Sequence, residues 1–517
     1  MESKISLNNE PKQLEYGIAL EKIPTELPYL REEELKKQLN ALLKQIEDNL
    51  AKIDNQKQHQ NMPSALEEFL HFFQEYNNYF LNEDVKENIK ARYSNKQMAY
   101  ERVLSIALEH TRSMWNTFSQ AINQRYNPVY EERFKDADQL AHQLLERSQN
   151  LVEKEPIIYF DKIFHITRYP YQIYPLLGVP FDRYEQDGPS AMAHELGHHV
   201  FWNTGDLEKY RTRMQILKEE IASAIFSNPL PQVKLDNPTE TQVNIESVFE
   251  KFNIWMLWAE ETFADIYGTL LIGPSYAKQA QDFLVRENIR TREDLIQNDG
   301  EHPMPALRPF ISLAVLDIVA KQGNNNFKKT LEELINVLKE RWNVHWQEST
   351  LIENSTQQHN PLLTASDMKN DIETIVNGIL NAKMFPVKSP DESKYISLIE
   401  SVGYWGNNRT QEDINEIENL INQCKTDKLD EVPSDRNHEF TAKPIGAVTP
   451  GTSPFEQLLK FVRDDRKRRE EVGEKLSKDE WEDVLSIELM RTHYHSQPAF
   501  HEHKIWHKHD GFSIIQV

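Results

Sequence analysis

The sequence predicts a mainly α, α+β protein in which helical regions flank a central domain with a small sheet. Three observations support this prediction. Apolar residues recur at steps of three and four both before residue 156 and after residue 320, which is helical periodicity. Between Pro156 and Val179, short runs of β-branched and aromatic residues indicate a few strands. The 39% of hydrophobic residues is enough for a buried core in a chain of 517 residues.

The first region, residues 1–155, is predicted to be helical. Its first helix carries the apolar stripe given below. A second helix begins near Ser64, because Ser64 and Glu67 have the spacing of a capping box. We expect the apolar stripes of this region to pack helices against one another. Partner-binding coils are the weaker alternative, because no heptad pattern is sustained. The clearest stripe consists of Leu35, Leu39, Leu43, Ile46, Leu50 and Ile53.

The rest of the chain is predicted to divide into four parts. Residues 156–320 form the core domain, residues 321–424 a helical region, residues 425–454 a linker rich in Pro, Gly, Ser, Thr and Asp, and residues 455–517 a small terminal segment. That segment contains three H-x-H pairs: His493 and His495, His501 and His503, His507 and His509. Each pair could hold a metal ion in an extended strand, whereas solvated histidines are the simpler interpretation.

Charge and composition exclude several classes of function. A net charge of −23 disfavours nucleic acid and anionic lipid as partners, and acidic neighbours dilute the one basic run at residues 463–469. A single cysteine, Cys424, excludes an intrachain disulfide and suits a reducing compartment. No signal-peptide pattern and no membrane-spanning apolar run is present. We therefore expect a cytoplasmic protein, with leaderless export left open; the oligomeric state is not predicted.

The strongest chemical signal is the segment His194-Glu195-Leu196-Gly197-His198. Pro189 and Ser190 suit the start of its helix, and Gly205 suits the end. The two histidines are four residues apart, so they project from one helix face and can share a metal ion. Glu195 lies about one hundred degrees around the helix, where it can take a proton from a water that the metal activates. The helix is apolar on several sides, which argues against two solvated surface histidines.

A zinc site also needs a third protein ligand. The metzincin pattern would place Gly at 201 and His at 204, and Phe201 and Thr204 exclude it. Downstream, Glu261 and Asp265 are four residues apart in a predicted helix and share a face. Glu261 can therefore bind the metal while Asp265 accepts a hydrogen bond from a ligating histidine.

Other residues near these segments are weaker candidates for the third ligand. Glu260 is predicted to point away from the metal. Glu246 and Glu250 share the four-residue spacing and are the main competitors of Glu261, but they lack the Ala-Asp that follows it. His199 lies on a different helix face from His198, so we expect a core or hydrogen-bonding role for it rather than ligation.

These motifs resemble those of a known family. H-E-x-x-H followed by E-x-x-A-D at residues 261–265 is similar to the gluzincin metallopeptidases. A later H-P-x-x-x-x-R, at residues 302–308, resembles the branch that contains the CAAX prenyl proteases and the bacterial membrane heat-shock proteases. The resemblance covers the core domain only. It implies one zinc ion per chain, with His194, His198 and Glu261 as ligands, Glu195 as catalytic base and Asp265 as the partner of His194.

The resemblance also implies roles around the metal. His302 and Arg308 would bind the substrate or stabilise its oxyanion; the alternative is that His302 belongs to a plain loop and Arg308 merely begins a helix. The strand before the metal helix would align the substrate backbone, and residues 171–179 are placed to do so. These relatives are usually embedded in membranes, and this sequence has no spanning helix, so prenylated or transmembrane substrates are not expected.

The leading functional hypothesis is a zinc-dependent endopeptidase that acts on protein or peptide substrates. One alternative is a non-catalytic scaffold or binding protein stabilised by zinc, although a structural site would have no use for Glu195. Another is a toxin-like or defence-associated effector protease, which differs only in biological setting. The polar insertion at residues 228–241, between His198 and Glu261, has no role that the sequence indicates.

Overall fold

The structure is a computed structural model of the chain. It describes residues 27–53, 62–92, 96–148, 154–167, 174–181, 184–203, 213–226, 248, 251–289, 291–356, 365–386, 395–403 and 410–429. Of the residues that the structure describes, 79% are helical, and a small three-stranded sheet is present. This confirms the predicted fold class. The insertion at 228–241, Glu246, Glu250, the linker beyond residue 429 and the whole histidine-containing tail lie outside the described residues.

Four helices form the N-terminal region: α1 (Leu27–Ile53), α2 (Met62–Leu81), α3 (Glu83–Arg92) and α4 (Lys96–Arg125). Aromatic side chains at their centre form a core of their own. The Phe69 ring stacks on Phe118 with centroids 4.5 Å apart and planes 11° apart, and Trp115 lies 5.9 Å from Phe69. This core extends to one face of the sheet that follows.

Helix α5 (Glu131–Leu145) precedes a sheet of three strands, β1 (Ile157–Asp161), β2 (His165–Thr167) and β3 (Leu176–Pro180). The spatial order is β1-β3-β2, with β1 parallel and β2 antiparallel to β3. Alternate side chains point to opposite faces of a strand. In β1, Ile157 and Tyr159 join the N-terminal core, whereas Ile158 and Phe160 join the core around the next helices. The sheet therefore separates the two hydrophobic cores.

The position of β3 contradicts the expected role of residues 171–179. Of these, residues 171–173 lie outside the described part of the chain, and Leu176–Val179 belong to the central strand, in which Leu176–Gly178 pair with both neighbours and Val179 pairs with β1. A strand with two neighbours has no free edge for a peptide. The outer edge of β1 is also covered, because the Gln124 amide bonds both the N–H and the C=O of Phe160 at 2.7 and 2.8 Å. The sheet edge without such cover in the described structure is β2.

The remaining elements build the second core. They are α6 (Tyr184–Asn203), α7 (Arg213–Phe226), the helical residues 251–257, α8 (Ala259–Ile272), α9 (Pro274–Phe283), α10 (Arg308–Lys321), α11 (Asn325–Thr356), α12 (Ala365–Lys369), α13 (Ile372–Asn381), the β4–β5 hairpin (Phe385–Pro386 and Tyr395–Ile396), α14 (Leu398–Val402) and α15 (Gln411–Thr426). Helix α15 continues into the first two residues of the segment predicted as linker. Among the described helices, none has the length and apolarity needed to cross a bilayer.

Helix α6 begins earlier than expected. It starts at Tyr184, so Pro189 lies inside the helix instead of at its beginning. A proline removes one backbone hydrogen bond to the residue four positions earlier. Here that residue is Glu185, in the first turn of the helix, so the loss falls close to the helix end and the helix continues through it to the histidines.

His345 of α11 is a fully buried histidine away from the motifs. Its ring stacks on Trp342 with centroids 4.7 Å apart and planes 10° apart. Within the described residues, neither of its ring nitrogens has a hydrogen-bond partner. Burial, assisted by the nearby Arg341 charge, lowers the pKa of His345 to about 4. The folded state therefore holds this imidazole neutral at pH values where the unfolded chain protonates it.

We predict that His345 makes the folded state less stable in mild acid. Above the unfolded pKa of about 6.5, His345 is neutral in both states and does not lower the free energy of unfolding. As the pH falls from there towards about 4, that free energy decreases, because only the unfolded chain takes up the proton. Between pH ~7.5 and pH ~5, this proton uptake lowers the free energy of unfolding by about 2 kcal/mol. The variant His345→Phe should not show this decrease. Urea unfolding of both proteins at the two pH values measures it. Equal pH dependence of wild type and variant would show that His345 does not titrate this way.

Candidate metal centre

The crossing of α6 and α8 brings the two motif helices into close contact. A Cβ atom on Gly197 would lie 2.8 Å from the Ala264 Cα and 3.2 Å from the Ala264 Cβ and carbonyl oxygen. Only a glycine at this crossing lets the two backbones come this close. Gly197 stands between the two motif histidines and Ala264 between Glu261 and Asp265, so the crossing brings the polar faces of the two helices together.

Three side chains converge beside this crossing. The Nε2 atoms of His194 and His198 are 3.2 Å apart. One carboxylate oxygen of Glu261 lies 3.1 Å from the His194 Nε2, and the other lies 3.3 Å from the His198 Nε2. Among the described residues, these three side chains form the one group of histidine, cysteine or acidic residues whose ligand atoms lie close enough together to hold a metal ion.

The donor atoms of this cluster suit a zinc ion. Bonds of about 2.0–2.1 Å at tetrahedral angles place neighbouring ligand atoms about 3.3 Å apart. The 3.2 Å between the two Nε2 atoms matches this value, and each oxygen of Glu261 matches it to one of the two imidazoles. With one donor atom taken from each residue, all three donor atoms lie within 4.8 Å of one another. Two imidazole nitrogens and a carboxylate also form a donor set that catalytic zinc sites use, with one position left for water.

The opposite ring nitrogens of both histidines contact carboxylates. His194 Nδ1 lies 3.0 Å from Asp265 Oδ1, and His198 Nδ1 lies 2.8 Å from Glu260 Oε1. An ionised carboxylate only accepts hydrogen bonds, so each Nδ1 is the protonated donor. In the neutral rings, both Nε2 atoms then face one another as lone pairs. A cation between them resolves that repulsion, which is a second reason why the cluster suits a metal.

Two further side chains fix these carboxylates. The Trp202 indole N–H donates to Glu260 at 2.6 Å, and the Tyr276 hydroxyl donates to Asp265 at 2.7 Å. Tyr276 reaches this position because Gly268 has no side chain; a Cβ there would overlap the tyrosine ring. Each histidine therefore has a carboxylate partner whose own orientation is fixed by a buried aromatic donor.

Arg308 and His302 also lie at the cluster. The Arg308 Nε donates to Asp265 Oδ2 at 2.7 Å, and its Nη2 donates to Asp265 Oδ1 at 3.0 Å and to Glu261 at 3.3 Å. His302 Nε2 lies 3.4 Å from Glu261, and its Nδ1 lies 2.8 Å from Asp299. Arg308 does begin α10, as the plain alternative had it, but its side chain is directed at Asp265. The side chain of His302 is 39% exposed, against 13% for Arg308.

The charges around the imidazole pair favour a divalent cation. With the imidazoles neutral, as metal ligation requires, three carboxylates (Glu260, Glu261 and Asp265) against one guanidinium leave a surplus of two negative charges. Burial alone would lower the pKa of His198, but Glu261 and Glu260 outweigh it and raise that pKa to about 10. Burial alone would likewise raise the pKa of Glu261, yet His302 and His198 lower it well below its usual range. Both shifts show a site that attracts positive charge.

The other predicted residues have clear positions. Glu195 follows His194 on α6 and is partly exposed, whereas His198 is buried. His199 is fully buried, with its Nε2 2.7 Å from the Lys154 carbonyl oxygen, which is the core role expected for it. The competitors Glu246 and Glu250 lie outside the described residues.

Glu260, Trp202 and Tyr276 are the site residues that the sequence did not indicate. Glu260 was expected to point away from the metal; its carboxylate instead contacts the far nitrogen of His198. Trp202 follows His198 by four residues, so helical spacing placed it on the correct face. Nothing in the local pattern could relate Glu260 or Tyr276 to a histidine more than sixty positions earlier.

Comparisons with known proteins found no relative, so the geometry of the site is the basis for assigning a function. No family model, no curated protein and no solved structure matches the chain. The resemblance to gluzincins therefore remains a hypothesis that rests on the motifs.

We predict that Gly197→Ala weakens metal binding. The added methyl would overlap Ala264 backbone atoms, so α6 and α8 must separate by a few tenths of an ångström. Zinc affinity should fall about 10- to 100-fold, because the three donor atoms no longer share one centre. Gly378→Ala is the matched control, since its methyl would meet only the Glu220 residue at 3.4 Å or more. Titration of the apoproteins against a zinc chelator measures both. If Gly197→Ala bound zinc as tightly as the wild type, the close approach of α6 and α8 would not be what determines zinc affinity.

We predict that Glu260→Ala also lowers zinc affinity, by about 10- to 100-fold, because His198 loses the acceptor that fixes its ring and tautomer. Glu340→Ala, an exposed substitution on α11, is the control for loss of one carboxylate. The same chelator competition tests this, with circular dichroism to verify the fold. If Glu260→Ala binds zinc like Glu340→Ala, Glu260 has no part in the metal centre.

Proposed function

We propose that the protein is a zinc-dependent endopeptidase of the gluzincin type, with one zinc ion per chain. The observation that supports this most is the convergence of His194, His198 and Glu261, whose donor atoms, one from each residue, lie within 4.8 Å of one another, with the two Nε2 atoms 3.2 Å apart. An acidic residue, Glu195, follows the first of these histidines directly. A structural zinc site would use a fourth protein ligand and would have no need of such a base.

Each residue has a role in the proposed hydrolysis. Zinc, when bound, acidifies a water molecule and polarises the carbonyl of the scissile bond. Glu195 takes the proton of the attacking water and passes it to the leaving amine. Asp265 and Glu260 hold the two imidazoles by their Nδ1 atoms. Glu261 completes the ligand set.

The geometry suggests different roles for His302 and Arg308. Arg308 makes two contacts with Asp265 and is largely covered, so we assign it to holding that carboxylate in place and neutralising it. His302 is the more exposed of the two and lies beside Glu261, so we assign to it the donor that stabilises the substrate oxyanion. The role of His302 is one that the family resemblance implies, whereas the role of Arg308 differs from the substrate-binding or oxyanion-stabilising role expected for it.

We also assign the alignment of the substrate backbone to β2 instead of β3. The outer edge of β2 can accept an extended peptide by strand addition, and β2 packs against α6, which contains the histidines. A protein or peptide segment in an extended conformation is therefore the proposed substrate class. The cytoplasmic location remains a proposal based on composition.

The main alternative is a scaffold that keeps zinc for structure. It predicts zinc binding without turnover and gives Glu195 no function. An effector protease in a toxin or defence system would share the proposed chemistry and differ in its target. No observation on the described residues favours either of these.

We predict that Glu195→Gln retains zinc and loses hydrolysis. The amide cannot accept the proton of the attacking water, so turnover should fall at least about 1,000-fold, while the ligands are untouched. Elemental analysis of both proteins should give one zinc per chain. Proteomic cleavage profiling of a cell extract then compares wild type with the variant.

The outcome separates the hypotheses. New peptide termini that appear with the wild type and disappear with Glu195→Gln support the peptidase. Glu340→Gln serves as the control for loss of a carboxylate elsewhere. If both proteins bind one zinc and leave identical peptide profiles, the scaffold is correct and the endopeptidase is wrong.

A further inference from the structure

A pocket lies along α10, from Phe310 in its first turn to Asp317. It has a volume of about 400 Å³ and is lined by residues of α10, α11, α12 and α13. We call it the lysine pocket, defined by Phe310, Asp317, Lys339, Trp346, Lys369 and Glu373. Its volume falls within the range of small-molecule sites. None of these residues belongs to the metal centre.

Lys369 occupies an aromatic corner of this pocket. The Phe310 and Trp346 rings meet edge to face, with centroids 5.3 Å apart and planes 82° apart. The Lys369 Nζ lies 3.7 Å from the centroid of Phe310 and 3.9 Å from that of Trp346. Contact with two ring faces holds the ammonium group in a defined position. Lys369 is therefore a fixed donor, unlike a flexible surface lysine.

This ammonium group lacks an anionic partner. Within the described part of the chain no carboxylate pairs with Lys369. The two carboxylates of the pocket, Asp317 and Glu373, both bind Lys321, at 2.6 and 3.1 Å. Asp317 follows Phe310 by seven residues, which is about 10 Å along the helix, so the acidic end is separate from the aromatic corner. Burial, together with the like charge of Lys339, lowers the pKa of Lys369 to about 8.

We propose that the lysine pocket binds a small organic monoanion that joins a carboxylate to an apolar group. The carboxylate would pair with the ammonium group of Lys369. The apolar group would lie against the rings and against Leu313 and Ile372, which also line the pocket. Asp317 and Glu373 would repel a second negative charge, so a compact polyanion such as phosphate fits less well. This proposal does not depend on the zinc site or on peptidase activity.

A probe pair with the same shape and different charge tests the proposal. 3-Phenylpropionate and, in parallel, its neutral amide are titrated into the full-length protein and followed by saturation-transfer NMR. Inorganic phosphate has no carbon-bound proton to observe, so it is titrated as a competitor of the acid. We expect a Kd on the order of 0.1–1 mM for the acid. The amide should bind at least about 10-fold more weakly, because it lacks the charge that pairs with Lys369. Phosphate should bind no better than the amide.

Substitutions then locate the site. Lys369→Met should weaken binding of the acid at least about 10-fold, whereas Lys369→Arg should stay within about 3-fold because it keeps the charge. Lys328→Met is the control, because Lys328 lies on α11 outside the pocket and pairs with Glu332. The proposal is overturned if the amide or phosphate binds as well as the acid, or if Lys369→Met binds like wild type. It is also overturned if no saturable binding occurs below about 10 mM acid. Each result is independent of whether Glu195→Gln affects peptide cleavage.

Discussion

The close approach of α6 and α8 at Gly197 and Ala264 is the constraint on which the metal centre depends. The histidines and Glu261 stand on different helices, and the separation of their donor atoms follows from the separation of the two backbones. Contact of a glycine with an alanine sets that separation by steric limits, which change little with pH or salt. The sheet contributes on the other side, because its inner face belongs to the same core as α6. Packing thus determines the chemistry by fixing where donor atoms meet.

Electrostatics then determines what the crossing can hold. Buried carboxylates are costly unless charge or hydrogen bonds compensate them. Here Arg308, Tyr276 and Trp202 compensate Asp265 and Glu260 in part, and a surplus of negative charge remains when the imidazoles are neutral. A divalent cation supplies the missing compensation, so folding and metal binding should be coupled. The same reasoning applies in reverse to Lys369, a partly buried cation that pairs with no carboxylate among the described residues.

Local patterns in the sequence predicted what depends on one helix or one strand. Four-residue spacings placed His194 with His198 and Glu261 with Asp265, because residues one turn apart share a face. Short runs of β-branched and aromatic residues located the strands. Relations between elements were not accessible in this way. Strand order, which makes β3 central and β2 an edge, depends on distant packing. The contact of Glu260 with His198 depends on how two helices rotate about their crossing. The start of α6 at Tyr184, five residues before Pro189, was likewise not fixed by the local start signal.

Zinc K-edge X-ray absorption on the zinc-loaded full-length protein tests the central claim most directly. The account predicts one tightly bound zinc with two imidazole ligands and only oxygen besides, at first-shell distances of about 2.0–2.2 Å. Replacement of Glu261 by Ala should remove an oxygen ligand and keep both imidazoles. A sulfur distance of about 2.3 Å, a shell without imidazole, or a spectrum that Glu261→Ala leaves unchanged would contradict a centre built from two helices at this crossing.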